Sequence, residues 1–189
     1  STAEGVIVTP IPTAPRVLIV DDQPRNLDAL EAILEPLACT LERAQSAEEA
    51  LLCLLRHDCA AIVLDIKMPG MNGIELARLI QRRKRSRHVP ILFLTAQLLA
   101  EADALQGYGA GAVDYLSKPV NPEILRSKVG VFVDLFTKTR ELARVNEALQ
   151  SEIAERQKAQ AALEQANQEL EARVKERTAA LTRAHQGVQ

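Results

Sequence analysis

Residues 60–73 read AAIVLDIKMPGMNG. The first five are apolar without a break, and Ile62 and Val63 are β-branched. Such a run, bounded by turn residues, predicts a strand buried on both faces. Asp65 ends the run with a carboxylate. Pro69-Gly70-Met71-Asn72-Gly73 then reads as a turn, and Ile74, Leu76, Leu79 and Ile80 recur at helical spacing. Strand, acid, turn and helix are written in one short stretch.

The same order repeats on both sides. Upstream, RVLIV at 16–20 runs into Asp21-Asp22. Pro24 suits the first position of a helix, which Leu27, Leu30, Ile33 and Leu34 continue. TLERA at 40–44 is a weaker strand that closes at Gln45 without evident chemistry. Ser46, with Glu49 three residues on, reads as a capping box before Leu51, Leu52, Leu54 and Leu55. Downstream, PILFL at 90–94 runs into Thr95, and Leu98, Leu99, Ala102 and Leu105 mark a helix ending among Gly107, Gly109 and Gly111. AVDYL at 112–116 leads to Lys118, and Pro122 opens the last helix of the domain.

Strands alternating with helices imply βαβ units, a parallel sheet and helices on both faces. The expected architecture is an α/β, flavodoxin-like (βα)5 domain with five strands in the order 2-1-3-4-5. The carboxyl ends of parallel strands share one edge, where ligands bind. Asp21, Asp22, Asp65, Thr95 and Lys118 should therefore meet there.

The chain has 189 residues, enough for one ordinary domain and an extension. Aromatic residues are only 3%, and Ala and Leu supply most of the apolar side chains, which suits a modest core joined to a long helix. A formal net charge of −2 demands neither a nucleic acid nor a membrane surface, and no apolar run is long enough to span a bilayer. The expected partners thus include no nucleic acid and no membrane insertion. Cys39, Cys53 and Cys59 are odd in number and lack metal-site spacing, which reads as reduced thiols in a cytoplasmic protein. The basic run at 82–88 lacks interleaved aromatics and reads as a solvated helix end, where cations suit the dipole.

Four segments follow from these patterns. Residues 1–15, with Pro10, Pro12 and Pro15, read as a flexible lead-in. Residues 16–136 form the domain. Residues 137–184 lose Gly and Pro and read as a coiled-coil helix continuing from the last domain helix, with 185–189 a disordered tail. Leu135, Leu142 and Leu149 recur every seven residues with Val145 between them. Ile153, Gln160, Asn167, Val174 and Leu181 form a second seven-residue series, with Leu163 and Leu170 in companion positions. The two registers are offset by a stutter between Leu149 and Ile153. Asn167 at a seam position suits a two-stranded pair with fixed register. A helix this polar is marginal alone, so a homodimer through 137–184 is expected.

Three carboxylates at one edge repel one another unless a cation joins them. Mg²⁺ (or Mn²⁺) suits such an oxygen donor set. A carboxylate can also act as a nucleophile toward a phosphoryl group, and then catalysis is largely positioning and charge neutralisation. Asp65 is the best nucleophile candidate, because it stands alone at the end of a central strand before a tight turn.

VLIVDD, LDIKMPGMNG, LTA and DYLSKP, in this order, resemble the receiver domain of two-component response regulators. The resemblance covers about 16–136. It implies that Asp65 is the phosphoacceptor, that Asp22 binds Mg²⁺ directly and Asp21 mainly through water, and that the Lys67 backbone carbonyl is a further metal ligand. It also implies that Thr95 and Lys118 hold the phosphoryl group, that Tyr115 with Thr95 forms the switch, and that Lys67 and Gln97 tune phosphate lifetime. The Lys118–Pro119 bond is usually cis in that family. The implied donor is a histidine kinase or histidine phosphotransfer protein. LEARVKERTAAL at 170–181 resembles, less specifically, the linker helix before histidine kinase cores, so the output is a fused or partner domain such as a kinase. As it stands the chain is expected to catalyse only its own phosphotransfer and dephosphorylation. Two other readings compete: a haloacid-dehalogenase-like phosphatase, which wants Asp-x-Asp where this chain has Asp21-Asp22-Gln23, and a constitutive dimerisation scaffold.

Overall fold

The computed structural model describes residues 14–96 and 112–186. The expected helix around Leu98–Leu105, its glycine-rich end and Gln97 lie outside these residues. Five parallel strands, β1 (Arg16–Val20), β2 (Thr40–Ala44), β3 (Ala61–Asp65), β4 (Ile91–Thr95) and β5 (Ala112–Ser117), form one sheet in the order β2-β1-β3-β4-β5. The helices are α1 (Pro24–Leu34), α2 (Ala47–Arg56), α3 (Gly73–Arg82) and the long α4 (Pro122–Gln186). The fold is flavodoxin-like, as the alternation predicts. β3 and β4 each begin and end one residue later than the apolar runs suggest, so Asp65 and Thr95 are the last residues of their strands.

The central strands β1, β3 and β4 are buried on both faces, which is why they read as continuous apolar runs. Leu18, Val20, Ile62, Leu64, Ile91 and Phe93 point to one side and pack with Leu54, Leu76 and Ile80 of α2 and α3. Val17, Ile19, Val63, Leu92 and Leu94 point to the other and pack with Leu27, Leu30 and Leu34 of α1 and with Leu125, Val129 and Val133 of α4. This two-residue alternation is the pleat at work.

Helix starts follow local chemistry. Pro24 occupies the first turn of α1, as expected. Ser46 caps α2 by accepting from the Glu49 backbone at 3.2 Å, but the Glu49 carboxylate accepts from the Gln45 N–H rather than from Ser46. The reciprocal capping box is instead at α3. There Asn72 accepts from the Glu75 N–H and Glu75 accepts from the Asn72 N–H.

The chain divides into a compact unit, Ser1–Lys138, and a second unit, Thr139–Gln189. The described part of the second is helical, and its apolar residues are exposed: Leu142, Val145, Leu149, Ile153, Leu163, Leu170, Val174 and Leu181. Among the described residues no helix is long and apolar enough to cross a membrane.

Candidate functional site

The last rungs of the sheet ladder fix the site. The Asp21 N–H donates to the Ala44 carbonyl (3.2 Å), the Ile66 N–H to Leu94 (3.2 Å) and the Lys118 N–H to Thr95 (2.7 Å). Each residue beyond a strand end is thus tied to the neighbouring strand. Asp21, Asp65 and Thr95 are buried, and Asp22 is half-buried. One carboxylate oxygen from each of Asp21, Asp22 and Asp65 lies within 4.8 Å of the other two.

Lys118 reaches into this group. Its Nζ stands 2.9 Å from Asp65 Oδ1 and 3.2 Å from Asp21 Oδ2. The ammonium therefore bridges two carboxylates that would otherwise repel each other. Asp21 also accepts from the Gln23 N–H at 2.9 Å and from Asn26 Nδ2 at 2.9 and 3.0 Å. That set of donors lets a fully buried carboxylate persist. Burial pushes the Asp65 carboxyl up, against the hydrogen bond and charge of Lys118, and the Asp21 charge adds to the rise. Burial alone would lower the Lys118 ammonium, but the hydrogen bond and charge of Asp65, and then Asp21, carry it above its usual value.

The turn after β3 presses on Asp65. Gly70 takes a left-handed φ of 75°, which favours glycine. Gly73 matters more. A Cβ there would lie 2.2 Å from the Asp65 carbonyl oxygen. Only a glycine lets α3 begin this close to the acidic residue, and the Gly73 N–H donates to the Ile66 carbonyl at 2.9 Å. The Lys67 N–H donates to the Asp65 carboxylate, while the Lys67 side chain is exposed.

The structure brings Asp21, Asp22, Asp65 and Lys118 together and places buried Thr95 at the same edge. Tyr115 lies on β5 beside Phe93 of β4, with its side chain 39% exposed. The Lys118–Pro119 peptide is cis. A cleft of about 320 Å³ opens beside Asp21 and Lys118, with Leu30, Ile33 and Val120 on its apolar wall. Two residues escaped the sequence reading. Asn26, five positions after Asp21, looks like any exposed helix residue until the first turn of α1 brings it onto the carboxylate. Gly73 looks like a turn glycine. Its spacing of eight residues after a strand-end acid is the one signal that could have singled it out.

Three acidic oxygens at this separation fit a hard divalent cation, and half-exposed Asp22 leaves room for water in the coordination shell. A buried acid held beside an ammonium, with a hydroxyl at the end of the neighbouring strand, is suited to accept a phosphoryl group.

Comparisons with known proteins agree with this geometry. Residues 17–130 match the response regulator receiver domain family. A probable cyclic di-GMP phosphodiesterase of Vibrio cholerae is 33% identical over 140 residues, 74% of this chain and 31% of that protein. The response regulator PleD of Caulobacter vibrioides is 35% identical over 114 residues, 60% of this chain and 25% of PleD. A putative response regulator from Chloroflexus aurantiacus superposes with a TM-score of 0.59 at 34% identity, covering 65% of this chain and 99% of its own. The chain thus spans only a quarter to a third of these two curated relatives.

Proposed function

Because the chain belongs to the response regulator receiver domain family, we propose that Asp65 accepts a phosphoryl group from the phosphohistidine of a histidine kinase or histidine phosphotransfer protein. One observation carries this reading: the Lys118 ammonium sits between Asp21 and Asp65 at the carboxyl edge of the sheet, 2.9 Å from the acceptor oxygen. In the transfer, an Asp65 carboxylate oxygen forms the new P–O bond as the P–N bond to the donor imidazole breaks, and the imidazole leaves with the bonding pair. Asp21, Asp22, Asp65 and the Lys67 carbonyl would hold Mg²⁺ or Mn²⁺, which when bound neutralises charge on the phosphoryl oxygens.

The chain's own groups do the rest. Lys118 shifts its hydrogen bonding from carboxylate to phosphoryl oxygen, and the Thr95 hydroxyl donates to another. Tyr115, exposed beside β4, follows the strand ends as they move, and Lys67 and Gln97 set how readily water reaches the acyl phosphate. The cleft beside Lys118 gives a donor protein an apolar surface next to the acceptor. The helix 137–184 pairs with its copy in a cytoplasmic homodimer. The output it controls is a fused or partner domain such as a histidine kinase, and this chain's own chemistry is limited to its phosphotransfer and dephosphorylation. A phosphomonoesterase reading is less favoured, because Gln23 stands where that chemistry needs a second acid. The test is incubation with a small phosphoryl donor and Mg²⁺, followed by intact mass measurement. One added phosphate is expected in the wild type and none in Asp65→Asn. A wild type that takes no phosphate from any small donor refutes the reading.

A further inference from the structure

The phosphoacceptor edge accounts for the acids but not for the opposite edge of the sheet. There the loop into β3 meets the loop into β4. Arg85 Nε pairs with Asp58 at 3.1 Å, and its Nη1 donates to the Leu55 carbonyl at 3.3 Å. This joins the end of α2 to the basic run after α3. Arg82, Lys84, Arg85 and Arg87 are all exposed. Among the described residues, no carboxylate is paired with Arg82, Lys84 or Arg87. The dipole of α3 explains Arg82 but not the rest, since that effect fades within the last turn and α3 ends at Arg82. On the adjoining α2, Leu52 and Leu55 are 52% and 56% exposed. They are three residues apart and so share a face.

We propose that this edge is a peripheral docking surface for an anionic lipid membrane, with Leu52 and Leu55 entering the interface and Arg82, Lys84 and Arg87 facing headgroup phosphates. Exposed aliphatics flanked by cations are what such a surface recognises. A nucleic acid would use the cations but waste the leucines, and residues 47–59 and 81–90 contain no Phe, Tyr or Trp to stack on a base. A shaped protein partner would want a pocket for an anchor, and the cavity here is about 10 Å³. A fluid bilayer needs no such pocket. The arrangement also suits the proposed chemistry, because a domain resting on its amino edge turns the Asp65 edge away from the lipid.

The test is co-sedimentation of the full chain with phosphatidylcholine vesicles, with and without about one third phosphatidylglycerol. Partition is expected only with the anionic lipid, weakening steeply with salt. Each cation near such a surface is worth roughly fivefold, so Arg82→Gln, Lys84→Gln and Arg87→Gln together should weaken partition on the order of a hundredfold. Leu52→Ser with Leu55→Ser should weaken it roughly tenfold and remove what survives high salt. Circular dichroism melts matching the wild type establish that the variants fold. Equal partition to neutral vesicles, no partition at all, or indifference to the charge variant would overturn the proposal. So would tighter binding to duplex DNA or polyglutamate than to the anionic vesicles, which would assign the patch to a nucleic acid or an acidic protein.

Discussion

The compact unit and the helix of the second unit spend the same aliphatic side chains to opposite effect. Leu18, Ile62, Ile91 and Leu92 are 0% exposed in the sheet. Leu142, Leu163 and Leu181 are 70%, 62% and 68% exposed along Thr139–Gln189. In the first region the apolar faces of the central strands are covered by helices of the same chain, although Leu52 and Leu55 on α2 stay exposed. In the second, a seven-residue stripe has no cover within its own helix, and burial requires another surface. The first region should therefore be stable at any dilution, and the second only when its partner is present.

The sharpest way to probe that division acts on function. Asp65→Asn should remove all Mg²⁺-dependent phosphate uptake while leaving the compact unit folded. Its melting temperature should equal or exceed the wild type's, since a buried carboxylate whose pKa is raised by burial is replaced by a neutral amide. Light scattering with a phosphoryl analogue then asks whether the second region responds. A change of mass or shape in the wild type that disappears in the variant couples the regions, and an identical change in both separates them.

Gly73→Ala is a structural counterpart. Its Cβ would meet the Asp65 carbonyl at 2.2 Å, and backbone must move to relieve that contact. The cost should be roughly 2–4 kcal/mol, read as a lower denaturant midpoint of the compact unit. Helicity contributed by the second region should not follow that midpoint. An unchanged midpoint would show that the edge beside Asp65 yields without strain.

These two substitutions mark how far the sequence could be read. Asp65, Lys118 and their shared edge were legible because parallel sheets align carboxyl ends, and a run such as AIVLD announces both strand and terminus. Asn26 and Gly73 were not. The first depends on the pitch of α1 carrying an amide back onto Asp21. The second depends on how closely α3 approaches β3, a distance that no residue pattern encodes. The capping boxes teach the same point. Ser46 and Glu49 have the right spacing, but the Glu49 carboxylate settles on Gln45, whereas Asn72 and Glu75 form the full reciprocal pair. Spacing states what is possible, and the incoming chain direction chooses.

The helical stripe can be tested through its own leucines. Leu163→Ala with Leu170→Ala should weaken self-association by roughly a hundredfold, since each truncation removes apolar area from the paired state. Sedimentation equilibrium would measure it, and the melt of the compact unit should be unaltered. A wild type that is monomeric at every accessible concentration would mean that the stripe is covered by something other than its copy.

A last effect concerns alkaline pH, and it should be confined to the compact unit, where Cys39, Cys53 and Cys59 all lie. Burial pushes the Cys59 thiol from 9.0 up to about 12, with a further rise from the charge and hydrogen bond of Cys53. The neutral thiol is therefore retained in the fold at a pH where the unfolded chain has already released the proton. The contribution of this group to stability is constant below pH 9.0 and falls between 9.0 and about 12. Lys118 acts in the same direction. Its raised pKa contributes stability below its unfolded value of 10.5, and that contribution is lost as pH rises through its folded value. Cys59→Ala separates the two. It should reduce the fall just above pH 9.0, to which Cys39 and Cys53 also contribute because burial raises both thiols, and leave the later loss in place. Equal slopes in wild type and variant would show that the Cys59 thiol ionises in the fold as readily as in the open chain, and that its burial carries no such penalty.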